Sequence, residues 1–189
     1  MDSHAKFVVF TLDAYRYALS LDAVEEVFRA AAITPLPEAP EPIAGVVDLC
    51  GHILAVLDLR KRFHLPSRPP QLEDQFIKVA FSGHSALLLV DRTLGVFDIP
   101  DHEMTGAAQI LVEGRYVRGV APLQGELIVI NDLASLLTEA ESGFAKRVAY
   151  RRERHGKSLK SEKNKISPFW KHLSQRPEWS EPCLRKCAY

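Results

Sequence analysis

Residues 43–63, IAGVVDLCGHILAVLDLRKRF, hold two apolar runs that meet at one glycine. The runs are short and rich in β-branched residues, so the segment reads as a β-hairpin. Gly51-His52 fits the two central positions of a type II′ turn, with Gly51 supplying positive φ. That register pairs Cys50 with Ile53, Leu49 with Leu54, Asp48 with Ala55 and Val47 with Val56. Side chains alternate across a sheet. One face then carries Val47, Leu49, Leu54 and Val56. The other carries Val46, Asp48, Cys50, Ile53 and Ala55, apolar except for Asp48. Such a mixed face is either covered by another part of the chain or used to hold a partner.

The same grammar recurs. QFIKVAFSGHSALLLVD (75–91) is a second apolar hairpin, around Gly83-His84, and VRGVAPLQGELIVINDL (117–133) a third, around Gly125-Glu126. The third matches the first at an offset of 74: Gly45 with Gly119, Val46 with Val120, Leu49 with Leu123, Gly51 with Gly125, Asp58 with Asp132 and Leu59 with Leu133. Both copies run on into a short helical turn, which Asp58 and Asp132 are placed to cap. The pattern implies two related β-subdomains, each built around one such hairpin. Upstream, KFVVFTL (6–12) and YRYALSL (15–21) form a further hairpin turning at Asp13-Ala14. DAVEEVFR (22–29) spaces Ala23, Val24, Val27 and Phe28 as a helix of one to two turns, with Asp22 as N-cap. ITPLPEAPEP (33–42) holds four prolines and reads as an extended connector. Short strands with Gly and Pro turns indicate a mainly β chain of two small β-barrels.

Charge divides the chain. Residues 1–145 hold 11 Lys+Arg and 20 Asp+Glu, a net of −9, and residues 146–189 hold 13 and 4, a net of +9. The reading is an acidic body, 1–145, and a basic, disordered tail, 146–189. Three cysteines, no signal-peptide pattern and no apolar run long enough to span a bilayer favour a cytoplasmic location.

The landmarks FVVFTL, YALSLDAVEEV, ITPLPEAP, IAGVVDLCG, AVLDLRKRF, LLLVDRTLGV and VRGVAPLQGELIVINDLASLL occur in an order and spacing that resemble the CheW-like family of chemotaxis adaptors. The resemblance covers residues 6 to about 140. It implies two small SH3-like, five-stranded β-barrels packed on a shared core, with no enzymatic activity and no cofactor. The partners it implies are the regulatory domain of a CheA-type histidine kinase and the cytoplasmic tip of a methyl-accepting chemoreceptor. Carried over by position, the receptor-contact candidates are Val24, Glu26 and Val27, with Asp48 and Cys50 at the hairpin turn. Gly45, Gly51, Asp58, Arg60, Gly119, Gly125 and Asp132 are the structural positions of the motif. Two departures stand out. Cys50 replaces the family arginine before the turn glycine, and Asp48 replaces the asparagine two residues earlier. An arginine–carboxylate contact at this patch would be lost. Cys50 then either packs as a small hydrophobe or serves as a redox-sensing thiol.

No catalytic set competes with this reading. The histidines are scattered, CLRKC (183–187) with His172 lacks further zinc ligands, and neither a phosphate loop, G-x-S-x-G nor H-E-x-x-H is present. Two alternatives remain: a CheW-like regulator of a pathway other than chemotaxis, and a small-barrel protein that binds nucleic acid or membrane through its tail. The tail itself, basic and carrying Phe169, Trp170 and Trp179, is open to three roles. It is a solvated extension, a ligand for an anionic surface, or a segment that folds onto the acidic body or a partner.

Overall fold

The computed structural model of the chain describes residues 4–49, 51–81, 83–110 and 116–156. Strands β1 (His4–Leu12) and β2 (Tyr15–Ser20) form the first hairpin, and β3 (Val24–Arg29) follows a 3-10 turn. Strands β4 (Ile43–Leu49) and β5 (His52–Asp58) form the next and lead into α1 (Leu59–Arg62). The order then repeats. Hairpin β6 (Gln75–Phe81)–β7 (His84–Val90) is followed by β8 (Arg92–Pro100), the two-residue β9 (Thr105–Gly106) and α2 (Ala107–Ile110). Hairpin β10 (Val117–Leu123)–β11 (Glu126–Asn131) leads into α3 (Leu133–Leu136), and α4 (Glu139–Gly156) comes last.

The strands make two sheets, ordered β8-β1-β2-β11-β10-β9 and β3-β6-β7-β5-β4. Each sheet draws strands from both halves of the sequence, because the halves exchange β3 and β8. Strand β3 leaves its own hairpin to pair with β6, with Val27 opposite Ile77, while β8 returns to β1, with Val96 opposite Val8. Shifting the first of these pairs by 69 in opposite directions gives the second. The β1–β2 and β6–β7 registers also coincide under that shift: Phe7 opposite Ser20, Phe76 opposite Leu89. The β4–β5 and β10–β11 registers coincide under a shift of 74: Gly45 opposite Val56, Gly119 opposite Ile130. The repeat is therefore a pseudo-two-fold relation with swapped strands.

Each sheet curls back on itself through one threonine. Thr34, beyond β3, bridges Val46 of β4 with two hydrogen bonds of 2.9 Å. Thr105, beyond β8, pairs with Val120 of β10. Two glycines permit these approaches. A Cβ on Gly45, whose φ is +147°, would run into the Thr34 carbonyl, and one on Gly119 into the Thr105 carbonyl.

Closure explains why the strands are apolar on both faces. Phe7, Val9, Ala18, Ile99, Ala121, Ile128 and Ile130 fill one sheet's interior. Val47, Val56, Phe76, Leu87 and Leu89 fill the other's. Alternate residues on the same strands, among them Val8, Phe10, Leu19, Ala55, Leu57, Ile77 and Leu88, form the third and largest cluster, shared between the two sheets. Ala55 is 2% exposed. The mixed face of the first hairpin is thus covered at its base and open at its tip.

Three sequence readings are corrected here. Residues 24–29 of DAVEEVFR are strand, with helical turn confined to Leu21–Ala23. Their pairing with β6, fifty residues away, overrides a weak local helical pattern. The hairpin turns are displaced by one residue: Leu49 opposes His52, Phe81 opposes His84 and Leu123 opposes Glu126. The glycines therefore hold the second central position. At the third turn both Gln124 (φ 53°) and Gly125 (φ 84°) are left-handed, which is the type I′ pattern. Finally, residues 146–156, read as part of a disordered tail, continue helix α4 across the boundary placed at 145. Residues 157–189 lie outside the described residues.

Candidate interaction site

Strand β3 lies at an edge of its sheet. Val24, packed against the shared cluster, is half-buried, while Glu25, Glu26 and Val27 are exposed. Glu26 sits at the irregularity in the β3–β6 ladder, opposite Lys78 in register. The ion pair of Lys78 goes instead to Glu25, at 2.7 Å. The Ser85 hydroxyl donates to the same carboxylate at 3.0 Å. The Lys78 contact holds Glu25 below the usual carboxylate pKa, with Ser85 adding to it and partial burial opposing it. Among the described residues no cation pairs with Asp22 or Glu26.

The hairpin candidates lie elsewhere on the same barrel. Asp48 is exposed at the tip of β4, and its carboxylate accepts the Gly51 amide at 2.8 Å. That bond closes the turn locally, so the replacement of the family asparagine keeps an acceptor that an amide oxygen would also supply. Cys50 lies outside the described residues. The segment 30–34 links β3 to the Thr34 bridge on β4, so the two groups of candidates belong to one closed sheet. Gly51 takes φ +95° in its turn.

Behind this surface the motif's charged residues build corners. The Asp58 carboxylate accepts the Arg60 amide at 2.9 Å and the Lys61 amide at 3.4 Å, capping α1. Asp132 accepts the Ala134 amide at 3.3 Å at the matching place on α3. The buried Arg60 guanidinium grips Asp13 of the β1–β2 turn (2.7 and 3.0 Å) and Asp91 between β7 and β8 (2.6 and 3.1 Å). Asp91 also takes Arg68 at 2.8 Å, and Arg68 pairs with buried Asp74 at 2.6 Å. Burial works against the Arg60 charge, but its hydrogen bonds to Asp13 and Asp91 outweigh that and raise its pKa. The same bond from Arg60 lowers the pKa of Asp13. Arg60 was legible in the motif, whereas its partners were not, since Asp13 read only as a turn residue.

A second network anchors α4. Thr138 and Glu141 form a capping box: the Thr138 amide donates to the Glu141 carboxylate at 2.9 Å, and the Glu141 amide to the Thr138 hydroxyl at 3.5 Å. Glu141 also forms an ion pair with Arg62, which donates to the Tyr116 hydroxyl at 3.2 Å. The T-x-x-E signal in the sequence could have revealed this helix start. Phe144, Ala145 and Val148 then pack on the shared cluster.

No group of three or more His, Cys, Asp or Glu among the described residues could hold a metal ion. No helix of the described residues is long and apolar enough to cross a membrane. The small cleft between β7 and α4 is lined mainly by Phe81, His84, Ser85, Leu137, Ala145 and Lys146.

The CheW-like domain pattern matches residues 6–141, spanning both sheets and every candidate above. The chain belongs to the CheW-like family. Over 130 residues it is 28% identical to the chemotaxis protein CheW of Thermotoga maritima, covering 69% of this chain and 85% of that one. With the chemotaxis protein CheW of Rhizobium meliloti it shares 24% over 138 residues, 72% of this chain and 89% of the relative. Among solved structures it is similar to the scaffolding protein TtCheW of Thermoanaerobacter tengcongensis, with a TM-score of 0.66 and 32% identity. That match covers 75% of this chain and 96% of the other. The CheW-like match ends before the basic stretch that begins at Lys146.

Proposed function

We propose that the chain is a non-enzymatic adaptor that couples the cytoplasmic tips of chemoreceptors to the regulatory domain of a CheA-type histidine kinase. The observation that carries this reading is the family match across both sheets, residues 6–141. Its mechanism is binding. The shared apolar cluster and the Arg60 corner hold two barrels in fixed relation, so a partner on one barrel is set in register with a partner on the other. Val24, Glu26 and Val27 on β3 form the receptor-contact strand, with Asp48 and Cys50 completing the surface at the hairpin tip. An edge strand beside an exposed apolar residue suits docking by a helical or extended partner segment. Residues 1–145 are the coupling body and 146–189 an appendage to it, acting in the cytoplasm.

The test is co-sedimentation of kinase with receptor-bearing membranes. Kinase should enter the pellet only when this chain is added, and saturate with it. Equal kinase in the pellet without the chain would contradict the coupling role.

A further inference from the structure

By its sequence, helix α4 outruns the body it packs on. Glu141, Phe144, Ala145 and Val148, spaced three and four apart, hold the first half of the helix to the body beside β5 and β7. The same spacing continues through Arg151, Arg152 and His155, which a core face cannot take up. Residues 149–156 therefore carry the helix past the body by about 12 Å. Lys146 and Arg147 are exposed, and Tyr150 and Arg154 occupy positions on their side of the helix. Residues 146–156 hold five Lys+Arg against one carboxylate, Glu153.

We infer that the distal half of α4 is a docking surface for duplex DNA, held by its phosphates without reading of the bases. Charge complementarity carries this. A cationic helix stands out from a body whose residues 1–145 hold a net of −9, so a polyanion is drawn to the helix and turned away from the rest. Four of the five cations are arginine, whose planar fork matches phosphate oxygens. A helix with its side chains is about 10–12 Å across, and the major groove is about 12 Å wide.

The same residues disfavour a membrane. A helix that lies on a lipid surface needs an apolar face to bury beneath the headgroups. Phe144, Ala145 and Val148 are already packed on the shared cluster, and only Ala149 and Tyr150 are apolar after them in the helix. The inference goes beyond the adaptor reading and does not rest on it.

The experiment is fluorescence anisotropy of a short labelled DNA duplex of random sequence, titrated with the intact chain at several salt concentrations. The expected result is saturable binding that weakens steeply with salt. Arg147→Gln, Arg151→Gln and Arg154→Gln together, which preserve helix propensity, should lower affinity at least tenfold. They should also reduce the slope of log K against log salt by roughly two to three, and Arg154→Gln alone by about 0.9. A full-length control with Lys6→Gln, Arg92→Gln and Arg118→Gln removes three exposed cations of the body and should bind within about twofold of the wild type. Absence of duplex binding, no loss in the α4 variants, or an equal loss in the control would overturn the inference. Tighter binding to vesicles of anionic phospholipid than to the duplex would overturn it in favour of a membrane, and equal binding to polyglutamate would remove the selection for phosphate.

Discussion

Arg60 and Asp91 meet through two hydrogen bonds, Nε to Oδ1 at 3.1 Å and Nη2 to Oδ2 at 2.6 Å, and this pair ties the end of one repeat to the middle of the other. Arg60 follows β5, Asp91 separates β7 from β8, and Asp13 joins them from the β1–β2 turn. Two loops and the short helix α1, distant in sequence, are thereby held at one corner.

Removing Arg60 should be costly, since its side chain is 6% exposed and its loss leaves Asp13 without its guanidinium partner and Asp91 with Arg68 alone. Arg60→Ala should destabilise by about 3–5 kcal/mol. Arg60→Lys should recover only part of this, because an ammonium cannot serve two carboxylates with the same fork. Urea unfolding midpoints of the three chains measure it. Equal midpoints would mean that the corner contributes nothing.

The corner also carries a pH dependence. Arg60 lowers the pKa of Asp13 in the folded chain. A carboxylate with a depressed folded pKa adds stability above its unfolded pKa, about 3.9. That contribution is lost as pH falls through the lower folded value. The melting temperature of the wild-type chain should therefore fall as pH is lowered below about 4. The same titration on Asp13→Asn should show a shallower fall. Superimposable profiles would remove Asp13 from the acid response.

Gly45 and Gly125 separate two reasons for a glycine. A methyl at Gly45 meets the Thr34 backbone, whereas one at Gly125 meets nothing within 4 Å. Gly125→Ala should cost about 1–2 kcal/mol for its left-handed conformation alone. Gly45→Ala should cost more, because the Thr34 bridge must open as well. Hydrogen exchange at the Val46 and Thr34 amides, which donate across that bridge, checks the second part. Unchanged protection there would contradict it.

Much of this arrangement was readable in the sequence. The offset of 74 identified the β4–β5 and β10–β11 hairpins as copies, and both aspartates cap the helices that follow. The first half of the repeat was hidden. At an offset of 69, Phe7 and Phe76, Leu19 and Leu88, Val27 and Val96, and Phe28 and Phe97 coincide, but such sparse identities among apolar strands carry little signal. The change of offset between the halves blurred it further. The exchange of β3 and β8 was illegible for a physical reason: a strand's partner is fixed by burial, and Val24–Arg29 has a local spacing that suits a short helix equally well. The hairpin turns failed by one residue because a glycine satisfies either central position of the two primed turn types, I′ and II′. Asp13, Asp74 and Glu141 escaped notice because their partners lie far away in sequence or, for Asp74, inside a proline-rich loop. The site candidates were carried by resemblance alone, and what the structure adds is that β3 offers them from an edge strand.

Glu141 is 3% exposed, and Arg62 is 7% exposed. Glu141→Ala should strip α4 of both its cap and its ion pair, leaving a buried cation, at a cost of about 3–5 kcal/mol. Amide exchange in residues 139–148 should accelerate more than in β6 or β7. Uniform acceleration would show that α4 unfolds only with the whole body.

The adaptor reading stands most directly on calorimetric titration of the intact chain with a receptor cytoplasmic tip and, separately, with the regulatory domain of a CheA-type kinase. The account predicts saturable binding to each. It also predicts that Val27→Arg weakens the receptor titration at least tenfold while leaving the kinase titration and the melting temperature unchanged. Receptor binding unaffected by Val27→Arg would remove β3 from the contact surface, and heat change with neither partner would contradict the coupling role itself.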